Sequence, residues 1–350
     1  MPKTIARNSA KRYENYGFFG PGSVTWKVFR YPSSFTVGFQ RTVVSEMYEP
    51  FLMASVSDTE AVMKRPAARY DRTLQYVSTV AFADSPTVVK ASDILLKIHS
   101  HIRGKEPISG GYYDANDPEA QLWIHLTQWH SVLLAYEVFG PGKLSEEEEN
   151  QYWAECRIAA EFQTIDPESV PRNRQEMRDY YTRMRPRLAA TEATQKTVQH
   201  LLDATTFLLD DLPLLLQPLR PAMRYLFRKA TIATLPGWMR QLGGVRQSAL
   251  EDVLAISVMR PLLGAIALLP DNQLLRMIEA LSPGTAKVVA PILADIAPVS
   301  PTTVTPAEAW ATANRPTPRA QYNQHKAERA AEPEDHAPKD PGTNNLLQFA

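Results

Sequence analysis

The chain of 350 residues contains a single cysteine, Cys156. One thiol closes no intramolecular disulfide, and no CxxC zinc motif or CxxCH haem-attachment motif can be written with it. Charge of one sign is also missing, because 38 Lys and Arg balance 38 Asp and Glu. A neutral chain lacks the basic surface with which nucleic-acid binders displace counterions, so no nucleic-acid partner is expected. Long hydrophobic runs are scarce. The most apolar stretch, 253–269, is interrupted by Arg260 and Pro261. A charge there is costly in lipid, so the stretch reads as a buried core helix. The basic N-terminus is followed by no apolar run of the kind a secretory signal needs. The expectation is a cytoplasmic protein. The Leu- and Arg-rich residues 207–242 are its candidate for peripheral membrane contact, with a core role preferred.

Several catalytic signatures are absent. Di-iron carboxylate bundles use paired Glu-x-x-His motifs, and the chain has none. His-Glu-x-x-His and Gly-x-Ser-x-Gly are missing too, which excludes the common zinc protease and serine hydrolase patterns. The loop Phe18-Phe-Gly-Pro-Gly-Ser-Val-Thr-Trp26 lacks the Gly-Lys-Ser/Thr ending of a phosphate loop, and the Gly pairs at 110–111 and 243–244 lack the dinucleotide-binding pattern.

What is present is helical periodicity. Apolar residues make up 44% of the chain, and they recur with a period near 3.6 rather than 2. Helices are expected at about 66–83, from Ser85 or Thr87 to Arg103 with Gly104 as the stop, and at 117–139, 151–163, 174–187, 191–209, 248–268 and 271–295. Cys156 falls in an amphipathic helix and reads as a small buried residue. The fold is therefore expected to be all-α: a multi-helix globular domain over 17–297, a loose N-terminus over 1–16, and a tail over 298–350. That tail is rich in Pro, Thr, Ala and charge. It has too little apolar surface to offset ordering entropy, so it is expected to be disordered.

Helical geometry sorts the histidines. His99 shares a stripe with Leu95 and Ile102, and His125 shares one with Leu122, Trp129 and Val132, so both point inward. His101 faces elsewhere. An inward imidazole is either a core histidine bonded to a carbonyl or carboxylate, or a metal or haem-iron ligand. Arg69, Arg72, Thr73, Tyr76 and Val80 form another stripe, opposite Leu74, Val77 and Ala81. Guanidiniums on a helix apolar on both sides either form salt bridges or face an anion such as a haem propionate.

The order of these segments resembles the latex-clearing protein and mycophenolate-pathway oxygenase family, the rubber-oxygenase catalytic domain. The matching pieces are Phe19-Gly-Pro-Gly-Ser-Val-Thr-Trp26, Arg69-Tyr-Asp-Arg-Thr73 with Tyr76, Val77 and Phe82, Lys97-Ile-His-Ser-His-Ile-Arg-Gly104, Asp117-Pro with Leu122-Trp-Ile-His125, and Ile165-Asp-Pro-Glu. With the Pro-rich 212–242 segment they span about residues 17–270. The resemblance implies an all-helical, haem b-dependent oxygenase that uses dioxygen on a hydrophobic, isoprenoid- or lipid-like substrate. It implies His99 as the iron ligand, with Arg69, Arg72 and Thr73 as catalytic groups near the haem. His125 is a further candidate for cofactor contact. Arg72 stands where latex-clearing protein has a lysine able to bind iron. A guanidinium has no free lone pair, so Arg72 is expected to donate hydrogen bonds and not to ligate. Glu49-Pro50 stands where many bacterial relatives carry His-Pro. Two rival readings are a haem-binding or partner-binding helical protein without catalysis, and a non-haem metal enzyme using Glu46, Glu49, His99 and His125.

Overall fold

A computed structural model describes residues 10–203 and 214–330. Its architecture is all-α. In chain order the helices are α1 (Val24–Phe29), α2 (Phe39–Glu46, entered through a π-helical turn at Ser34–Gly38), α3 (Pro50–Thr59), α4 (Ala61–Lys64), α5 (Pro66–Phe82) and α6 (Ser85–His99). A short hairpin follows, with β1 (Arg103–Lys105) antiparallel to β2 (Tyr112–Asp114). Then come α7 (Pro118–Phe139), α8 (Glu146–Ala160), α9 (Arg174–Met184), α10 (Glu192–Leu202), α11 (Arg220–Thr234), α12 (Gly237–Leu242), α13 (Ala249–Ala267), α14 (Asp271–Leu281), α15 (Pro283–Leu293), α16 (Pro306–Thr312) and α17 (Pro318–Ala330).

The helix starts follow local chemistry. Asp84, Asp117 and Ser145 cap α6, α7 and α8 with side-chain oxygens that accept backbone N–H groups of the first turn, and Ser145 forms a reciprocal capping box with Glu148. Proline begins α5 and α7, where its missing N–H costs nothing. α6 stops at His99, earlier than Gly104, because residues 103–105 pair with 112–114. Strands of three residues are too short to show an alternating pattern. The single long helix expected over 271–295 is two, divided at Ser282, which caps α15 just before Pro283.

α7 runs through the centre of the molecule. Trp123, Leu126, Trp129, Val132 and Leu133 are buried on it, as a core helix requires. α5 is also covered on both sides. Its Tyr70, Leu74, Val77 and Ala81 are buried, and its Asp71 carboxylate accepts from Ser282 Oγ (2.6 Å) and Gly284 N (2.9 Å) at the start of α15. The Glu155 carboxylate on α8 accepts from the backbone N and hydroxyl of Thr25, each at 2.6 Å, so an acid meets the N-terminus of α1.

Three expectations need correction. The tail does not lie loose over 298–330: Val299 N donates to Tyr13 O and Ser300 N to Glu14 O, both at 2.8 Å, while Trp310 and Tyr322 are buried. Residues 331–350 lie outside the described residues. The same bonds order 10–16 of the N-terminal segment, and Tyr13 Oη donates to Val288 O. Composition missed this because backbone pairing carries no side-chain pattern. The third correction concerns the apolar stretch 253–269. α13 buries Ala255, Met259 and Leu263 on one side only, and Val253, Leu254, Val258 and Leu262 are exposed.

The folded tail has a testable consequence. Trp310 stacks on Phe162 with ring centroids 6.2 Å apart. Trp310→Ala is expected to cost about 3–5 kcal/mol, the usual range for emptying a buried tryptophan site. Urea denaturation would read this as a lower midpoint with little change in slope. An unchanged midpoint would mean that the tail does not stabilise the domain.

Candidate functional site

The residues of interest come from the end of α2, the first turns of α5, the last residue of α6 and the second turn of α7. The stripe geometry of α5 holds. Arg69, Arg72, Thr73 and Tyr76 follow one another along one side, and Thr73 Oγ1 donates back to Arg69 O at 3.0 Å. Tyr76 Oη donates to Phe162 O at 3.0 Å, which ties this side of α5 to the end of α8.

His99 ends α6. Its Nδ1 lies 2.8 Å from Gln121 Nε2, which also donates to Ala115 O at 2.6 Å. Gln121 therefore holds the ring in one orientation. Burial, and then the nearby Arg69 guanidinium, push the His99 pKa down to about 4. At neutral pH the imidazole is uncharged; with Nδ1 accepting from the Gln121 amide its proton sits on Nε2, and turning that amide to present its oxygen to Nδ1 would move the proton there and free the Nε2 lone pair for a metal.

Glu46 and Arg69 share the same surroundings. Burial raises the Glu46 carboxyl to about 8, and Arg69 pulls in the opposite direction. Burial lowers the Arg69 pKa; Glu46 opposes that shift and Arg72 adds to it. Yet Arg69 is exposed, and Glu46 and His99 are only half-buried. Densely surrounded by protein yet partly bare, the three groups form a partly open cluster, the candidate recess. A recess flanked by a neutral, oriented imidazole and a guanidinium suits a haem, which needs an axial nitrogen and cationic partners for its propionates.

His125 is placed differently. It is buried, as expected, but its Nε2 lies 2.9 Å from Cys156 O and 3.3 Å from Cys156 Sγ. Burial lowers its pKa to about 4, and it borders a cavity of about 20 Å³ shared with Tyr76, Val80 and Trp129, room for a water or two. His125 Nε2 thus faces a backbone carbonyl, as in the core-histidine alternative weighed for it. Cys156 is buried with its thiol pKa raised, which makes it inert. Glu49 caps α3, where its Oε2 accepts from Leu52 N at 2.7 Å. Glu46, Glu49, His99 and His125 do not converge. Among the described residues no group of three or more His, Cys, Asp or Glu could hold a metal. A larger open groove, about 630 Å³, runs between Glu119, Tyr180, Arg183 and Arg187. It contains none of the α5 or α6 residues and offers no histidine, so volume alone does not locate the chemistry.

Sequence reasoning missed two features. Gln121 shares the inward stripe of α7 one turn ahead of His125, so its inward direction was legible but its partner was not. Arg41 gave no signal. It is buried on α2, donates to Ser131 Oγ (2.5 Å) and Thr234 O (3.2 Å), and lies near Tyr181 and His130.

Residues 26–266 match the family model described as ER-bound oxygenase mpaB/B'/Rubber oxygenase, catalytic domain. The chain belongs to this family. No curated protein and no solved structure matches it. An oxygenase catalytic domain thus covers α1 through nearly all of α13, including Glu46, Arg69, His99 and Gln121.

The raised pKa of Glu46 makes a prediction for the cofactor-free protein. Between about 4.5 and about 8 the folded state holds a proton on Glu46 that the unfolded chain releases. Stability should therefore fall as pH rises through this window. Glu46→Gln should remove that part of the slope and raise Tm relative to wild type most clearly at pH 8. A difference between the two proteins that is flat from pH 5 to 8 would show that Glu46 is ionised throughout.

Proposed function

We propose that this oxygenase-family chain binds haem b, with His99 as its protein ligand, and oxidises a hydrophobic, isoprenoid- or lipid-like substrate with dioxygen. One observation carries the reading: His99 is held neutral by burial and by Arg69, with its ring oriented by Gln121. When bound, haem would supply the redox centre for dioxygen chemistry, while the protein supplies orientation and electrostatics.

The chain's own residues divide the remaining work. His99 offers an uncharged ring nitrogen. Arg69 donates hydrogen bonds from a fixed fork, suited to a propionate or to a polar oxygen of the reacting species. Arg72, half-buried beside it, has no lone pair and donates rather than ligates. Thr73 presents a hydroxyl acceptor whose proton is directed to Arg69 O. Glu46, protonated through neutral pH, keeps an acidic proton on its carboxyl oxygen within electrostatic reach of Arg69. Val80 and Trp129, buried around the small cavity that Tyr76 borders, limit water at the far end of this side of α5.

The test is an ultraviolet–visible spectrum of protein from haem-supplemented cells, before and after dithionite and carbon monoxide. A Soret band near one haem per chain, shifting on reduction, is expected. His99→Ala should lose at least about tenfold in haem affinity with unchanged helix content, and Gln121→Ala should weaken haem retention less, as is usual for groups behind a ligand. Full haem retention by His99→Ala, or no Soret band after haem is added to folded wild type, would overturn the assignment.

A further inference from the structure

α13 presents an apolar face that nothing among the described residues covers. Leu250, Leu254, Val258 and Leu262 follow at intervals of four, Val253 adjoins Leu254, and Leu268 caps the helix end. All are exposed, from Leu262 at 39% to Leu268 at 86%. The row is about 27 Å long at 1.5 Å per residue. The opposite side of the helix is spent on the domain, where Met259 and Leu263 pack with Val37, Ala135 and Phe139. The acids of α13 are at its first turn, and both are engaged: Glu251 with Lys229 at 2.7 Å and Asp252 with Arg240 at 2.9 Å.

The apolar surface has neighbours of a particular kind. The Lys229 ammonium that holds Glu251 also sits 5.4 Å from the ring centre of Tyr225 on α11, so the exposed Tyr225 ring adjoins the start of the α13 row. At the other end the chain turns through 119° into α14, which exposes Met277. Residues 214–281 carry eight basic side chains against four acidic ones, in a chain whose total charge is zero. Among the described residues, no single helix is long and apolar enough to cross a membrane; only α13 and α14 together reach that composition, and they are sharply bent.

We propose that this face of α13, with Tyr225 and Met277 beside it, docks on the surface of an anionic lipid bilayer. The apolar row enters the boundary between headgroups and acyl chains. The tyrosine, apolar in body and polar at its tip, suits the headgroup level. Cations around the row attract anionic headgroups over about a Debye length. Charge also favours lipid over a second copy of the chain. A two-fold interface brings the same patch face to face, so the basic excess would repel itself, whereas a negatively charged bilayer attracts it.

The experiment mixes the full chain with phosphatidylcholine vesicles, with and without phosphatidylserine, and measures co-sedimentation. It needs no bound cofactor, so its outcome is independent of the haem assignment. Wild type should sediment with the phosphatidylserine vesicles, and less so at high salt. The double variant Leu254→Glu, Val258→Glu replaces exposed side chains and should keep its circular dichroism. It should lose at least about tenfold in partitioning, since two buried apolar groups are removed and two repelled charges added. Arg246→Gln with Arg260→Gln, both outside the haem recess, should reduce the preference for phosphatidylserine. Equal binding by wild type and the Leu254/Val258 variant, or no sedimentation with phosphatidylserine vesicles, would overturn the proposal. So would a dimer, found by light scattering, that the Leu254/Val258 variant dissociates; the occupant would then be a second copy.

Discussion

Arg69 sits in the first turn of α5 with much of its side chain bare, and its guanidinium acts on the titratable groups beside it, His99 and Glu46. After burial, the larger cause, it helps keep His99 from accepting a proton, and it pulls against the protonation of Glu46. A charge in such a place needs either partners or a recess still open to something polar. The surrounding helices serve that need. α2 ends at Glu46, α6 ends at His99, and the second turn of α7 delivers Gln121 against the histidine ring. Three helix termini thus meet where side chains are free to converge, because the backbone has just turned away.

The framework that keeps these termini in register is assembled from long-range polar contacts as much as from apolar packing. Asp71 locks α5 to the start of α15 across more than two hundred residues of sequence. Glu155 gathers the N-terminus of α1 onto α8. The C-terminal segment pairs its backbone with residues 13–17 and inserts Trp310 against Phe162, the residue whose carbonyl accepts from Tyr76. The tail therefore supports the recess through one intermediate residue. Each of these carboxylates accepts several donors at once, which is the condition under which a partly buried charge stabilises instead of costing.

The molecule has two apolar specialisations with different chemistry. Around α5 and α7 the apolar residues are enclosed and shield a polar recess. On α13 they are left outside, next to cations and a tyrosine. For an oxygenase domain whose proposed substrate is hydrophobic, the two would be complementary: the proposed bilayer contact of α13 would meet the phase in which such a substrate dissolves, and the enclosed residues would hold the reacting groups away from water. The family match covers nearly all of α13 as well as the recess, so both belong to the same domain.

Helix class, the spans of α5 and α7, the inward direction of His99 and His125 and the mixed stripe of Arg69, Arg72 and Thr73 were all legible in the chain. Each depends on neighbours three and four residues away, and a helix converts such spacing directly into a face. The family resemblance was legible for the same reason, as short motifs in a fixed order. Only the tertiary structure separated the two histidines. The 3.6-residue period says that a ring points inward but not what it meets, and the partners of His99 and His125 come from elsewhere in the chain, at Gln121 and Cys156. The same limit explains the tail and α13. Composition reports how much apolar surface a segment has, whereas packing decides whether that surface is covered. Trp310 finds a buried place in a polar segment, and the most apolar helix keeps one side bare, because burial depends on the shape of the remaining surface, which no local pattern encodes.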